Sequence, residues 1–301
     1  MTRIGVDFGG TKIEIIALAG DGAVALRRRV ANPGNYEDAL RRVAELVGAA
    51  EAELGQSCRV GVGIPGAISP STGRVHNANS VWMNDKPFRE DISTLLSRPV
   101  RVENDANCFA LSEASDGAAA GLGVVFGVIL GTGCGGAIVV NGTVLPGLHR
   151  IAGEWGHTPL PNPRAADLPS PPCFCGQSFC LERYISGPAL AADYFGPGAR
   201  DASSIPALAA AGDGAAQAAL ARHADRVARG LAVVITLLDP DAVVIGGGLS
   251  NMPHLYTEVP RLVARYVLAQ EFRTPILRNK HGDSSGVRGA AWLWPTGAVS
   301  D

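Results

Sequence analysis

Three thiols and one imidazole lie close together in the chain. Cys173-Phe174-Cys175-Gly176-Gln177-Ser178-Phe179-Cys180 follows the compact cluster Glu154-Trp155-Gly156-His157, and Glu182 comes two residues after the last cysteine. Thiolate and imidazole are the ligands zinc favours, and closure by four protein groups marks a structural rather than a catalytic site. Cys173 and Cys175 are too close for an easy mutual disulfide, yet both can grip one metal ion. Gly176 lets the backbone turn sharply beneath it. A free-thiol loop or a redox-active pair is the simpler alternative, and the clustering with histidine favours zinc over both. Zinc held at His157, Cys173, Cys175 and Cys180 would staple a long loop, so that Glu154, His157 and Glu182 converge on a ligand. A closed site leaves no position for an activated water, so the chemistry must come from elsewhere.

One carboxylate is placed to supply it. A short strand, Val100-Arg101-Val102-Glu103, runs into Asn104-Asp105-Ala106-Asn107, which opens a helix over 108–120. An Asp there is ordinarily a helix cap. Asp105 also sits at the carboxyl end of a strand, where open α/β sheets place ligands, and a carboxylate there can accept a proton from a substrate hydroxyl.

Two glycine-rich tips stand on either side of it in the sequence. A strand over 3–7 leads through Phe8-Gly9-Gly10-Thr11-Lys12 into a second strand over 13–18 and a third over 23–30. The plan repeats: a strand over 124–130, the tip Gly131-Thr132-Gly133, a return over 136–140, the hairpin turn Asn141-Gly142, and a strand over 143–145. Unpaired amides in such a tip form an anion nest, and Asp7 beside it can hold magnesium through water. Either tip alone reads equally well as an ordinary hairpin. Internal duplication is the stronger signal, since two facing tips can clamp successive phosphates of one nucleotide.

The remaining elements position these groups. A helix over 37–54 carries Leu40, Val43, Val47 and Leu54 at three- to four-residue spacing. A strand over 59–64 ends at Pro65-Gly66. The stretch 68–91 is polar and turn-rich, with Asn77, Asn79, Ser80 and Asn84, and amides are good partners for hydroxyls. A long helix over 215–238 stops at Asp239-Pro240. A buried strand over 242–245 runs into Gly246-Gly247-Gly248, where missing side chains leave room for a flat ring. A helical pattern over 259–268, the turn His281-Gly282-Asp283-Ser284-Ser285-Gly286, a last helix through Ala290 and Trp292, and a loose tail over 296–301 complete the chain.

Composition bounds the reading. The chain has 301 residues, 47% of them hydrophobic, and a formal net charge of −2. It is long enough for a large core split into two lobes. No basic stripe suggests nucleic acid, and no apolar run is long enough for a bilayer. Six cysteines, half of them in one cluster, fit a reducing cytoplasm better than a disulfide framework.

Together these motifs resemble the ROK sugar kinases of the actin/hexokinase superfamily, over nearly the whole length. Asp7-Phe8-Gly9-Gly10-Thr11-Lys12 and Gly131-Thr132-Gly133 look like the two phosphate motifs, Gly246-Gly247-Gly248 like the adenosine motif, and Asn104-Asp105 like the catalytic pair. Glu154-x-Gly156-His157 with Cys173-x-Cys175-Gly176-x-x-x-Cys180-x-Glu182 looks like the family signature. Phe179 departs from the glycine usual before the last cysteine. Asn79-Ser80-Val81-Trp82 and the stretch from Lys280 to Gly289 look closest to bacterial fructokinases with mannokinase activity, with N-acetylglucosamine kinases as near relatives.

The resemblance implies an α/β, two-lobed actin-like or ribonuclease H-like fold with duplicated βββαβαβα lobes: residues 1–120 with 285–301 packing back on them, and 121–284 carrying the zinc loop. It implies ATP with Mg²⁺ in the cleft, hexose held by Gly66, Asn79, Asn104, Glu154, His157 and Glu182, and Asp105 taking the proton of the 6-hydroxyl. His157 would give one ring nitrogen to zinc and the other to the sugar. The implied activity is that of an ATP:hexose 6-phosphotransferase, with fructose as the expected sugar and N-acetylglucosamine as the alternative, in a homodimer. The family also contains repressors with an N-terminal helix-turn-helix. Here the first strand begins at once, so that alternative is disfavoured.

Overall fold

The computed structural model describes residues 2–295, and the tail expected over 296–301 lies outside them. The chain divides into two compact units. The first comprises the chain up to Gly121, Gly142–Ala152 and the chain from Asp283; the second comprises Leu122–Asn141 and Gly153–Gly282.

The expected duplication is visible in the sheets. The first orders its strands Val24–Ala31, Lys12–Leu18, Arg3–Phe8, Arg59–Ile64, Val100–Asn104; the second orders them Thr143–Val144, Cys134–Val140, Val124–Leu130, Ala242–Gly246, Ile276–Arg278. In the first, antiparallel hairpins join the opening three strands and the last two run parallel. The same switch from antiparallel to parallel recurs in the second. This is the α/β duplication that the paired strand–tip–strand patterns predict.

Within the first unit, Ile4, Val6, Phe8, Val60, Val62 and Ile64 are buried in the sheet. The helix Tyr36–Leu54 begins at Asn35, whose side chain accepts from Asp38 N, and ends at Gly55 in the left-handed region. The last helix, Ser285–Trp292, lies so close to the sheet that glycine is obligatory beneath it. A Cβ on Gly5 would stand 2.0 Å from Val287 O, and one on Gly61 would stand 1.9 Å from Ala290 O. On its other face, a Cβ on Gly289 would meet Cys108 O of the helix Asp105–Ser115 at 1.6 Å. Segment 142–152 groups with this unit, whereas the sequence division put it in the second lobe. One of its contacts there is ionic, Arg150 Nη1 to Glu103 Oε2 at 3.3 Å.

In the second unit the long helix is Gly214–Leu238, capped by Asp213 and closed at Asp239 with φ 44°. Its Val227 and Leu231 pack with Leu130, Trp155, Leu181 and Ile245. Its Arg226 and Arg229 bind the buried Asp167 carboxylate at 2.8 and 3.0 Å, which ties the loop before the cysteine cluster to the core. Two helical expectations shorten. Helix 108–120 becomes Asp105–Ser115, because the Glu113 side chain turns to cap Ala118 N at 2.8 Å. The pattern over 259–268 yields only Val259–Val263.

Candidate functional site

In the first unit, strand Arg3–Phe8 ends at the tip Gly9-Gly10-Thr11, and Lys12 begins the return strand. Asn32 braces this tip by donating through Nδ2 to Gly9 O at 2.7 Å and through its amide to Thr11 O at 3.0 Å. The amides of Gly10 and Thr11 donate to no other described residue, so the tip is an open cradle of N–H groups. Asp7 stands just before it, with its carboxyl pushed up to about 6 by burial, then by the charges of Asp105 and Glu14, against Lys12 and Arg29. Asp7 and Asp105 thus act on one another within this unit.

The turn carrying Asp105 is fixed by its neighbours. Asn104, not Asp105, is the helix cap: its Oδ1 accepts from Ala106 N at 2.9 Å, and its Nδ2 donates to Gly66 O at 2.9 Å. Asp105 becomes the first residue of the helix and takes its own bond from Ala106 N at 2.8 Å. Gly66 holds φ 74°, and a Cβ there would stand 2.4 Å from His76 O, so glycine is required where the turn closes on the polar loop. In that loop Asn84 brackets Ala78 through both backbone groups at 3.0 and 3.1 Å, and Asn79 is exposed. Sequence reading missed Glu103. Its Oε1 accepts from Asn104 N and from Asn107 Nδ2, each at 3.0 Å, while Oε2 takes Arg150. A lone Glu in a strand reads as a solvated face; only the i, i+4 relation to Asn107 on the following helix could have signalled it.

In the second unit the tip Gly131-Thr132-Gly133 is tied up. Gly131 N donates to Gly133 O at 3.0 Å, and Gly131 O accepts from Gly187 N at 2.8 Å. Glu182 Oε2 accepts from Cys134 N at 2.9 Å, and a Cβ on Gly133 would stand 2.7 Å from that same oxygen. Trp155-Gly156-His157 forms a short helical turn docked on the same strand, with Trp155 Nε1 donating to Gly135 O at 2.9 Å and no room for a Cβ on Gly156, 2.1 Å from Cys134 O. Burial raises the Glu154 carboxyl, His157 opposes the shift and Glu182 adds to it. Glu154 therefore feels the charges of both His157 and Glu182. The three glycines after strand Ala242–Gly246 differ in role. Gly247 has φ 82° and would place a Cβ 2.4 Å from Leu130 O, so it serves close packing; Gly248 has open space.

His157, Cys173, Cys175 and Cys180 each offer a ligand atom, all within 4.8 Å of one another. Cys173 Sγ is 3.6 Å from His157 Nδ1, and Cys175 Sγ is 3.4 Å from Cys180 Sγ. Zinc–sulfur bonds of about 2.3 Å in a tetrahedron put sulfurs roughly 3.8 Å apart, so the set fits such an ion. The Gln177 amide pulls the Cys175 thiol down to about 7. Phe179 sustains the turn in place of glycine by adopting φ 62° itself, with its amide on Ser170 Oγ at 2.7 Å and its carbonyl on Leu160 N at 2.7 Å.

A family model described as "ROK family" matches residues 3–297. The chain belongs to the ROK family. It is 41% identical over 296 residues to an N-acetyl-D-glucosamine kinase of Escherichia coli O1:K1 / APEC, spanning 96% of this chain and 98% of that one. Among solved structures it is similar to the ROK hexokinase of Thermus thermophilus, with 34% identity, TM-score 0.85 and 97% of each chain covered. A ROK family glucokinase from Streptomyces griseus, in complex with glucose and AMPPNP, shares 28% identity at TM-score 0.74 over 97% of this chain and 99% of its own. These ROK relatives share the two-lobed actin-like α/β fold that the motifs imply. No helix among the described residues is long and apolar enough to cross a membrane.

Proposed function

We propose that this ROK protein transfers the γ-phosphoryl group of ATP to the 6-hydroxyl of a hexose, with Asp105 as the general base. The observation that carries the reading is the division of labour at the helix start: Asn104 takes over capping, which leaves Asp105 at the strand end, in electrostatic contact with Asp7 beside an open amide cradle. In this reading the tips 9–11 and 131–133 hold phosphates with Lys12, and Gly248 with its neighbours lies under the adenine. Mg²⁺ near Asp7 neutralises developing charge, as phosphoryl transfer requires. Asn79, Asn104, Glu154, His157 and Glu182 grip the sugar hydroxyls. Zinc at His157, Cys173, Cys175 and Cys180 holds the loop that delivers Glu182, and leaves His157 Nε2 for the sugar.

The sugar is N-acetyl-D-glucosamine in this reading. The expectation of fructose gives way because the 41% identical relatives carry the other substrate in their name. Fructose stays as a second reading on one observation: the turn Asn79-Ser80-Val81-Trp82, whose Trp82 ring packs edge-on against Phe8 at 6.0 Å, is the segment that resembles fructokinases. ADP release measured over a panel of hexoses with MgATP decides between them. The expected outcome is a kcat/KM for N-acetyl-D-glucosamine about 10-fold or more above that for fructose, a margin that one hydrogen-bonding position can supply. A reversed ratio would return the assignment to fructose.

A further inference from the structure

Ser80 stands at the start of the short helical turn Val81–Met83, the usual place for a capping serine, yet its hydroxyl caps nothing. It makes no hydrogen bond to any described residue. It points instead at the first tip: a Cβ built on Gly10 would stand 2.7 Å from Ser80 Oγ, and beyond Gly9, Gly10 and Thr11 no other heavy atom of the described residues lies within 4 Å of that position. The serine is held there from two sides. Trp82, two residues on, packs edge-on against Phe8, the last residue of the strand that leads into the tip. Asn84 fixes Ala78 through both its backbone groups, at 3.0 and 3.1 Å, and Met83 N closes the turn on Ser80 O at 2.9 Å. A rigid turn therefore presents an unused hydroxyl donor beside two unused amide donors, those of Gly10 and Thr11.

We infer that Ser80 completes the first tip as a phosphate donor: its hydroxyl hydrogen-bonds a non-bridging oxygen of the transferring phosphoryl group. A hydroxyl is both donor and acceptor, but beside two backbone N–H groups its useful role is donation to an anion. The geometry also gives Gly10 a reason beyond flexibility, since any side chain there would displace Ser80 Oγ. The inference rests on the kinase reading above and goes beyond it by naming a residue that the phosphate motifs do not contain.

The test compares wild type with Ser80→Ala and Ser80→Cys. Hydrogen bonds to charged groups contribute about 1.5–3 kcal/mol, so the alanine variant should lose about 10- to 100-fold in kcat, with the sugar KM changed less than about twofold and the melting temperature held. Cysteine, a weak donor, should fall between. A kcat within about twofold of wild type for Ser80→Ala overturns the inference, and so does a loss carried entirely by the sugar KM. Wild-type protein without phosphorylation of any hexose would instead overturn the kinase reading. A second measurement needs no activity: thermal unfolding of Gly10→Ala with and without Ser80→Gly. Removing the hydroxyl should restore most of the stability that the added methyl costs; two purely additive losses would show that Ser80 does not face Gly10.

Discussion

The two glycine tips share a local plan and differ in how they are braced. The first, 9–11, is braced by Asn32 and leaves the amides of Gly10 and Thr11 without partners among the described residues, as the second leaves those of Thr132 and Gly133. The second, 131–133, is closed on itself and pinned by Gly187, while Glu182 holds the amide just after it. The two hairpins are thus held differently: one stands beside Asp7 and Asp105, and the other is joined to Glu182, the carboxylate two residues after the last cysteine. Glu182 is the bridge between the cysteine loop and the second tip. A disturbance of that loop should therefore reach the nucleotide as well as the sugar.

A first effect expected from this contrast is at Gly133. Its Cβ would stand 2.7 Å from Glu182 Oε2; where the flexible Glu182 side chain yields by leaving the Cys134 amide, the abandoned group costs about 1–3 kcal/mol. We expect Gly133→Ala to weaken both ATP and sugar by about 10-fold or more in titration calorimetry, while Gly248→Ala, with open space around it, changes each by less than about threefold. Equal effects at the two positions would break the distinction.

Much of this was legible in the residues. The duplicated strand–tip–strand plan, the hairpin at Asn141-Gly142 and the four-ligand cluster all follow from spacing, because turns and metal sites are local. What was not legible came from contacts between distant segments. Nothing in the sequence says that Gly5, Gly61 and Gly289 exist to let one helix lie against a sheet and against the helix after Asp105, since each neighbour is far along the chain. Glu103 was missed in part for the same reason, since its cationic partner Arg150 is far along the chain. The choice of Asn104 over Asp105 as cap depended on the Gly66 carbonyl, which the turn at Pro65 brings within reach.

Metal removal sharpens the contrast next. If the cysteine cluster holds zinc as proposed, taking the ion from it should loosen 173–182, and with it Glu182. Protein stripped by a chelator, with zinc content followed by metal analysis, is expected to lose sugar affinity by about 10- to 100-fold, as changes around metal ligands commonly do, and to unfold in its second unit at lower temperature. Unchanged binding in zinc-free protein would detach the loop from the site.

The first tip makes an opposite stability prediction. The Asp7 pKa is raised from its ordinary value to about 6. A carboxylic acid with a raised folded pKa binds its proton more tightly in the fold. Its contribution to stability is present below the unfolded value and is lost as pH rises towards 6. At about pH 7.5, Asp7→Asn should therefore stabilise the ligand-free protein by about 1–2 kcal/mol while reducing activity. A destabilised Asp7→Asn would show that the charged carboxylate is favoured where it stands.

A second pH effect lies in the second unit. His223 and His254 are buried, hydrogen-bonded to each other at 2.9 Å, and held down by burial to about 4 and about 3. Both stay neutral in the fold, so their contribution is present above the ordinary histidine value and is lost as pH falls from about 6.5 towards 4. Chemical denaturation at about pH 7 and about pH 5 should show the second unit weakening, by up to about 2 kcal/mol per histidine. His254→Gln should flatten that dependence; an unaltered slope would place the acid sensitivity elsewhere.

The most direct test of the whole account is Asp105→Asn, read by sugar binding and by hexose 6-phosphate formation in parallel. General-base help is worth about 10²–10⁴-fold, and the amide keeps the shape of the carboxylate while losing its basicity. The account predicts sugar affinity within about threefold of wild type and turnover down by about 10³-fold or more. Turnover near the wild-type rate would contradict it, because it would show that the reaction does not need the Asp105 carboxylate to take the proton.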